Sequence, residues 1–382
     1  MVVGWNESDA KIQQRNDTAK LRHENLFVNL HYIFNPMKRK HNNSNRIFWI
    51  AAGTASALLI VIAMMFSAAT LSFDGKTARR VYIPRNSTAE AVHDSLSSAF
   101  GSKYGTRLYR IWSIMGGDPT SSVGSYVVEP GTSVWHAARQ IAKGRQTPIR
   151  VTLNNMRTID DLASKLSARL EASHDEFMTA IDTIPAIYSE GFKVKEEYAA
   201  AFLPDTYEFF WTMGPDVVIG RLISVRNRFW NKTRKDKAEA LGLTPVQVAT
   251  IASIVEEESR MTDEYPTIAR LYINRVHKGM KLQADPTVKF AVGDFTIRRI
   301  NSEHLKSDSP YNTYKYAGLP PGPIRIASGK TIDAVLDAPE HDYLYMCAKE
   351  DFSGYHNFAG DYATHMANAR RYQAELNKRN IH

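Results

Sequence analysis

Glu256-Glu257-Glu258 closes a largely apolar run, Val246 to Val255. Thr244-Pro245-Val246-Gln247 opens that run as a helix, with Thr as the cap, Pro in the first turn and Gln at the capping-box position. Val248, Ala249, Ile251, Ala252, Ile254 and Val255 cover most of the helix circumference, and a helix apolar all round is buried. The three carboxylates therefore sit where a buried helix emerges. At about 100° per residue they point in three directions and cannot share one role. Glu256 continues the stripe of Ala249 and Ala252, small neighbours that leave room for a ligand. Desolvation and an adjacent carboxylate both raise a carboxyl pKa. A glutamic acid still protonated near neutral pH can donate to a glycosidic oxygen. Glu256 is the candidate acid on this reasoning. The competing role is a salt bridge to Arg260, Arg270 or Arg275.

The segments that follow supply polar contacts. A helix over 265–277 places Ile268, Leu271, Tyr272 and Val276 on one face and ends at Gly279. Asn274 and Arg275 lie off that stripe, free to face a cleft or cap a loop. In Leu282-Gln283-Ala284-Asp285-Pro286, an extended backbone points Gln283 and Asp285 the same way, toward one ligand, and Pro286 breaks the strand. Tyr311, Asn312 and Thr313 offer an aromatic platform with amide and hydroxyl partners. Gly318-Leu319-Pro320-Pro321-Gly322-Pro323 reads as a rigid turn.

These elements belong to a chain of 382 residues, long enough for two or three domains. Ordinary apolar and charged fractions exclude wholesale disorder. The net charge of +8 is part N-terminal and part thinly spread, with no basic stripe interleaved with aromatics, so no nucleic-acid partner is expected. The single cysteine, Cys347, excludes an internal disulfide and a multi-thiolate metal site. The histidines show no HExxH spacing, and neither a metal nor a cofactor is expected. Ser328-Gly329-Lys330-Thr331 has the end of a phosphate loop, but Ile324 stands where its first glycine belongs.

Ile47 to Leu71 carries no charge and at about 1.5 Å per residue is long enough to span a hydrocarbon core of about 30 Å. Ser67-Ala68-Ala69 would suit a signal-peptide cut, but the apolar core is longer than the 7–15 residues usual there, so an uncleaved single-pass anchor over 47–72 is expected. Basic residues flank it equally, Lys38, Arg39, Lys40 and Arg46 before and Lys76, Arg79, Arg80 and Arg85 after, so charge does not set its orientation. The basic cluster near the chain start and the long domain after the span make a cytoplasmic N-terminus the expectation. The tail is 1–46. Met37 reads as the true start, with 1–36 an over-extended reading frame.

Beyond the anchor, Val81-Tyr82-Ile83 is a strand, and Ser87-Thr88-Ala89-Glu90 has capping-box spacing for a helix toward Ala99. Gly124–Val128 is a strand, Gly131-Thr132-Ser133 leads a helix to Lys143, and Ile149–Leu153 alternates as a further strand. The order suggests one small α/β module over 79–153. Thr158 caps the next helix, and 154–382 forms a mixed α/β domain. The fold class expected is α+β.

Ala252-Ser253-Ile254-Val255-Glu256-Glu257-Glu258, Ile273-Asn274-Arg275, Gly279 through Val288, Tyr311-Asn312-Thr313-Tyr314, Gly318 through Ile324 and His356-Asn357-Phe358 together resemble the endolytic murein transglycosylase (MltG, or YceG-like) family. Leu203-Pro204-Asp205-Thr206-Tyr207 also looks like a family element, and the resemblance covers about 80–375. It implies a bacterial plasma-membrane protein with a single-pass anchor, a LysM-like module and a catalytic domain outside the membrane. It also implies cleavage of the MurNAc–GlcNAc β-1,4 bond of nascent glycan strands, leaving 1,6-anhydroMurNAc and ending strand elongation. Glycan strands and the membrane are the implied partners, with peptidoglycan synthases as enzymes it would accompany. The departure is Asn155-Met156, where the family often has Glu-Gly. One carboxyl suffices for this reaction, because the sugar's own 6-hydroxyl attacks: the same group first protonates the leaving oxygen and then takes the proton of that hydroxyl. Glu256 takes the catalytic role, with Glu258, Gln283, Asp285, Tyr311, Asn312 and Thr313 as substrate contacts. A catalytically silent glycan-binding protein, and a hydrolase using Asp285 as second carboxylate, remain alternatives.

Overall fold

Short antiparallel ribbons, each buttressed by helices, organise the chain. The computed structural model describes residues 43–68, 72–188, 192–297 and 299–379. The chain divides into two units, Met1–Ala69 and Thr70–His382. In the first, Asn43–Ala68 is one helix, α1. Among the described residues no single helix is long and apolar enough to cross a membrane. In sequence the apolar run continues through positions whose side chains lie outside the described set. The tail at 1–42, including Met37, lies outside it entirely.

The second unit opens with β1 (Arg79–Ile83), α2 (Ala89–Phe100), α3 (Ser102–Ile114), β2 (Gly124–Val128) and α4 (Val134–Ala142). β1 and β2 pair antiparallel, with Val81 opposite Tyr126. Val81, Ile83, Leu96, Leu108, Trp112, Tyr126 and Ile141 form one buried cluster. Thr88, not Ser87, caps α2, because its side chain is the one that accepts from the Ala91 N–H. Helix α3, which the sequence reading left unassigned, packs on α2 and α4. Gly105 permits that: a Cβ there would lie 2.5 Å from the Leu96 carbonyl oxygen.

The strand at Ile149–Leu153, β3, does not join this sheet. It pairs with β4 (Asp205–Phe209), Val151 opposite Tyr207. Alternation identifies a half-buried strand but is silent about its partner. The β3–β4 ribbon shares a core with α5 (Ile159–Ser167), α6 (His174–Tyr188) and α7 (Pro215–Phe229), built on residues such as Leu162, Phe177, Phe209 and Leu222. Thr158 and Asp161 close a full capping box on α5.

A third cluster surrounds α9 (Pro245–Glu258), whose residues Val248 to Val255 are all buried. Its neighbours are α8 (Lys232–Ala240), α10 (Tyr265–His277), α11 (Asp285–Val292) and α12 (Gly329–Leu336). The capping box of Thr244 and Gln247 starts α9 as its sequence requires. Pro286 does not break a strand. It occupies the first turn of α11, where its missing N–H costs nothing. A ribbon of β5 (Tyr345–Ala348) and β6 (His356–Ala359), backed by α13 (Tyr362–Lys378), closes the domain beside α10. The architecture is mixed α/β with small sheets.

Candidate active site

The last turn of α9 sends its three carboxylates to three places. Glu256 Oε1 accepts from the Ser328 N–H at 2.8 Å and from the Thr331 hydroxyl at 2.5 Å. Its Oε2 lies 3.0 Å from Arg325 Nε. Both oxygens are thus committed. The arrangement explains the phosphate-loop look of Ser328-Gly329-Lys330-Thr331: this is a helix N-terminus that holds an anion, and the anion is the side chain of Glu256. Glu257 pairs with Arg325 Nη1 at 2.8 Å and Arg157 Nη2 at 3.3 Å.

Glu258 turns the other way, into a cavity of about 210 Å³. Its Oε1 accepts a 2.7 Å hydrogen bond from the Tyr272 hydroxyl. No hydrogen bond reaches Oε2 among the described residues. Neighbouring atoms enclose the carboxyl, though the residue keeps some contact with solvent. Burial raises its pKa to about 7. The Tyr272 hydrogen bond opposes the rise, the negative charge of Asp285 adds to it, and Lys289 and Arg275 oppose it.

The expectation for Glu256 is corrected on these contacts. Helical spacing correctly separated the three carboxylates, but it could not reveal that Arg325 and the start of α12, 69 or more positions away, would claim the first of them. The partner is none of the three arginines considered from sequence.

Gln283 and Asp285 line the same cavity. Gln283 adopts φ +52°, the left-handed region that non-glycine residues rarely occupy. Its N–H donates to the Thr313 carbonyl at 3.2 Å. Asp285 Oδ1 accepts from the Tyr314 hydroxyl at 2.6 Å. Burial, then the bond to Asp285, push the Tyr314 phenol well above its ordinary pKa, so it remains a donor.

Tyr311, Asn312 and Thr313 are corrected from ligand contacts to scaffold, because all three are buried and none lines the cavity. Asn312 Nδ2 donates to the Leu305 and Ser307 carbonyls, both at 2.9 Å. The Thr313 hydroxyl accepts from the Ala284 N–H at 3.0 Å and meets the Thr287 hydroxyl at 2.8 Å. Tyr311 packs on Phe290, ring centroids 4.6 Å apart. A buried loop must satisfy its backbone groups, and the Asn312 and Thr313 side chains do so while Tyr311 packs. Their work is to hold Gln283 and Asp285 at the cavity rim.

Arg275 anchors the opposite wall. Its Nε donates to the Leu344 carbonyl and its Nη1 to that of Leu282, both at 2.6 Å. Asn274 Nδ2 donates to the carbonyls of His341 and Tyr343. The pair thus clamps the entrance to β5. Cys347 and His356 complete the lining from the β5–β6 ribbon. Sequence reasoning gave Tyr272, Tyr314 and Arg325 no role. Tyr314 adjoins the three loop residues chosen and was within reach of the same argument. Tyr272 had been assigned wholly to an apolar stripe, and nothing local marks its hydroxyl.

The profile of the YceG-like family matches residues 81–371, most of the chain and all of the cavity. The chain belongs to the YceG-like family. Among its relatives, the endolytic murein transglycosylase of Bacillus subtilis is 35% identical over 161 residues, 41% of this chain and 44% of that protein. The endolytic murein transglycosylase of Streptococcus pneumoniae is 25% identical over 301 residues, 70% of this chain and 54% of that protein. The chain thus spans about half the length of the curated relatives it matches. A solved YceG-like protein from Listeria monocytogenes shares the fold, with TM-score 0.52 at 23% identity, covering 77% of this chain and 99% of that one.

Proposed function

We propose that this YceG-like protein is an endolytic peptidoglycan lytic transglycosylase and that Glu258 is its catalytic acid. The observation that carries the reading is the Glu258 carboxyl in a solvent-reaching cavity with one oxygen held by Tyr272 and the other unclaimed. Burial there raises its pKa to about 7 and favours the protonated form. The cavity is smaller than the 300–1,000 Å³ usual for a small-molecule site. It grips part of a strand whose remainder extends outside, as internal cleavage requires. Glu258 protonates the MurNAc–GlcNAc bridging oxygen, the C1–O bond breaks, and the 6-hydroxyl closes on C1. Tyr272 holds Oε1 and leaves Oε2 to carry the proton. Gln283 and the Asp285–Tyr314 pair bind sugar hydroxyls and stabilise developing positive charge at C1.

The apolar run within and after α1 supports a single-pass membrane anchor, with the N-terminus cytoplasmic and the second unit on the outer side. The β1–α2–α3–β2 ribbon supports a LysM-like glycan-binding module. Glycan strands are the substrate, and peptidoglycan synthases are the enzymes whose products it would cut.

Incubation of the purified protein with glycan strands, followed by mass spectrometry, tests the activity. Products ending in 1,6-anhydroMurNAc, one water lighter than hydrolytic ends, are expected. Asp285 shares the cavity with Glu258 and so keeps a hydrolase as the second reading. Hydrated reducing ends would select it. No cleavage at all would leave a binding protein.

A further inference from the structure

His356 opens β6 and lines the Glu258 cavity. It is built like a proton-transfer group. Its Nδ1 lies 2.9 Å from Glu264 Oε2, and its backbone N–H donates to Glu264 Oε1 at 2.8 Å. Glu264 is buried at 7% exposure, and the Ser259 hydroxyl, one residue beyond Glu258, also donates to it at 3.3 Å. A carboxylate only accepts, so Nδ1 carries a hydrogen, and in the neutral form of the ring Nε2 is the nitrogen left to act as a base. Nε2 has no hydrogen-bond partner among the described residues. It is also absent from their buried unsatisfied atoms, so solvent or a ligand reaches it. A buried carboxylate, a fixed tautomer and an open ring nitrogen form the orienter–base pair used in general-base catalysis.

We propose that His356, oriented by Glu264, is the base that receives the proton of the attacking 6-hydroxyl. This rests on the transglycosylase reading above. Glu258 gives its proton to the bridging oxygen, and the C1–O bond breaks with its electron pair going to that oxygen. The 6-hydroxyl oxygen then bonds to C1 while its proton passes to Nε2. The imidazolium returns that proton to the Glu258 carboxylate directly or through water, which restores both groups and balances the step. The other titratable or charged groups facing the cavity are Tyr272 and Arg275 from α10, Asp285 from α11, Tyr314 from the loop and Cys347 from β5. Tyr272 and Tyr314 hold hydroxyl hydrogens on carboxylates, and Arg275 is spent on carbonyls.

The test is the pH dependence of kcat/KM for anhydro-product formation by the full chain. Two groups with opposite requirements give a bell: His356 must be neutral, and Glu258 must be protonated. His356→Gln should lower kcat about 10²-fold or more, with little change in KM, and should abolish the acid limb. Glu264→Gln should also lower kcat, because an amide can donate to Nδ1 as well as accept from it and no longer fixes the ring tautomer. A wild-type profile with no acid limb would overturn the proposal without any variant. So would His356→Gln keeping both limbs and the wild-type rate. Wild-type protein that forms no anhydro ends at all would instead defeat the transglycosylase reading.

Discussion

Glu256 and Glu258 leave the same turn of α9 for opposite fates. The first has both oxygens tied to Arg325 and to the start of α12. The second has one oxygen on Tyr272 and one unclaimed in the cavity. The separation follows from helix geometry, since two residues apart is about 200° of rotation.

Replacing Glu258 with Gln should abolish anhydro-product formation, with a loss of about 10²–10⁴-fold. Circular dichroism should stay unchanged, because the amide oxygen can still accept from Tyr272. Wild-type turnover from this variant would remove Glu258 from the mechanism.

Glu256→Gln should act through stability. The amide loses the ionic contact to Arg325 and weakens the anchor on α12, for a cost of about 1.5–3 kcal/mol. Urea unfolding measures this. At temperatures where the variant stays folded, its kcat should remain within a few-fold of wild type.

The raised Glu258 pKa sets a pH window for stability. The unfolded side chain titrates near 4.5 and the folded one near 7. Between those values the folded state holds more protons, so the group's contribution to stability falls as pH rises and is lowest above about 7. Glu258→Gln removes that slope. Thermal midpoints at pH 5 and pH 8 should show the variant gaining on wild type at the higher pH.

Thr313→Val should cripple the site without touching it. The Ala284 N–H would be buried with no acceptor, at a cost of about 1–3 kcal/mol, and Gln283 and Asp285 on either side of it would lose register. Loss of activity should exceed loss of folded protein at 25 °C, which the anhydro-product assay and urea unfolding together resolve.

The sequence by itself determined the helix that delivers the acid, since the Thr244–Gln247 capping box and the apolar circumference of α9 are local facts read by local rules. It paired Gln283 with Asp285 through an extended segment that does not form: Gln283 is left-handed and Asp285 opens α11, so the cavity they both line is set by the turn between them and by the Thr313 loop. It determined the family through ordered motifs. Only the tertiary structure decided which glutamate meets the cavity. That choice depends on Arg325, Ser328 and Tyr272, distant in sequence and converging on one helix end. It likewise decided that Asn312 and Thr313 are scaffold, since an amide or hydroxyl that satisfies a buried backbone looks identical in sequence to one that awaits a ligand. The partner of β3 was hidden for the same reason. A strand's pattern fixes which face is buried, whereas its neighbour is fixed by how separate segments can share one core.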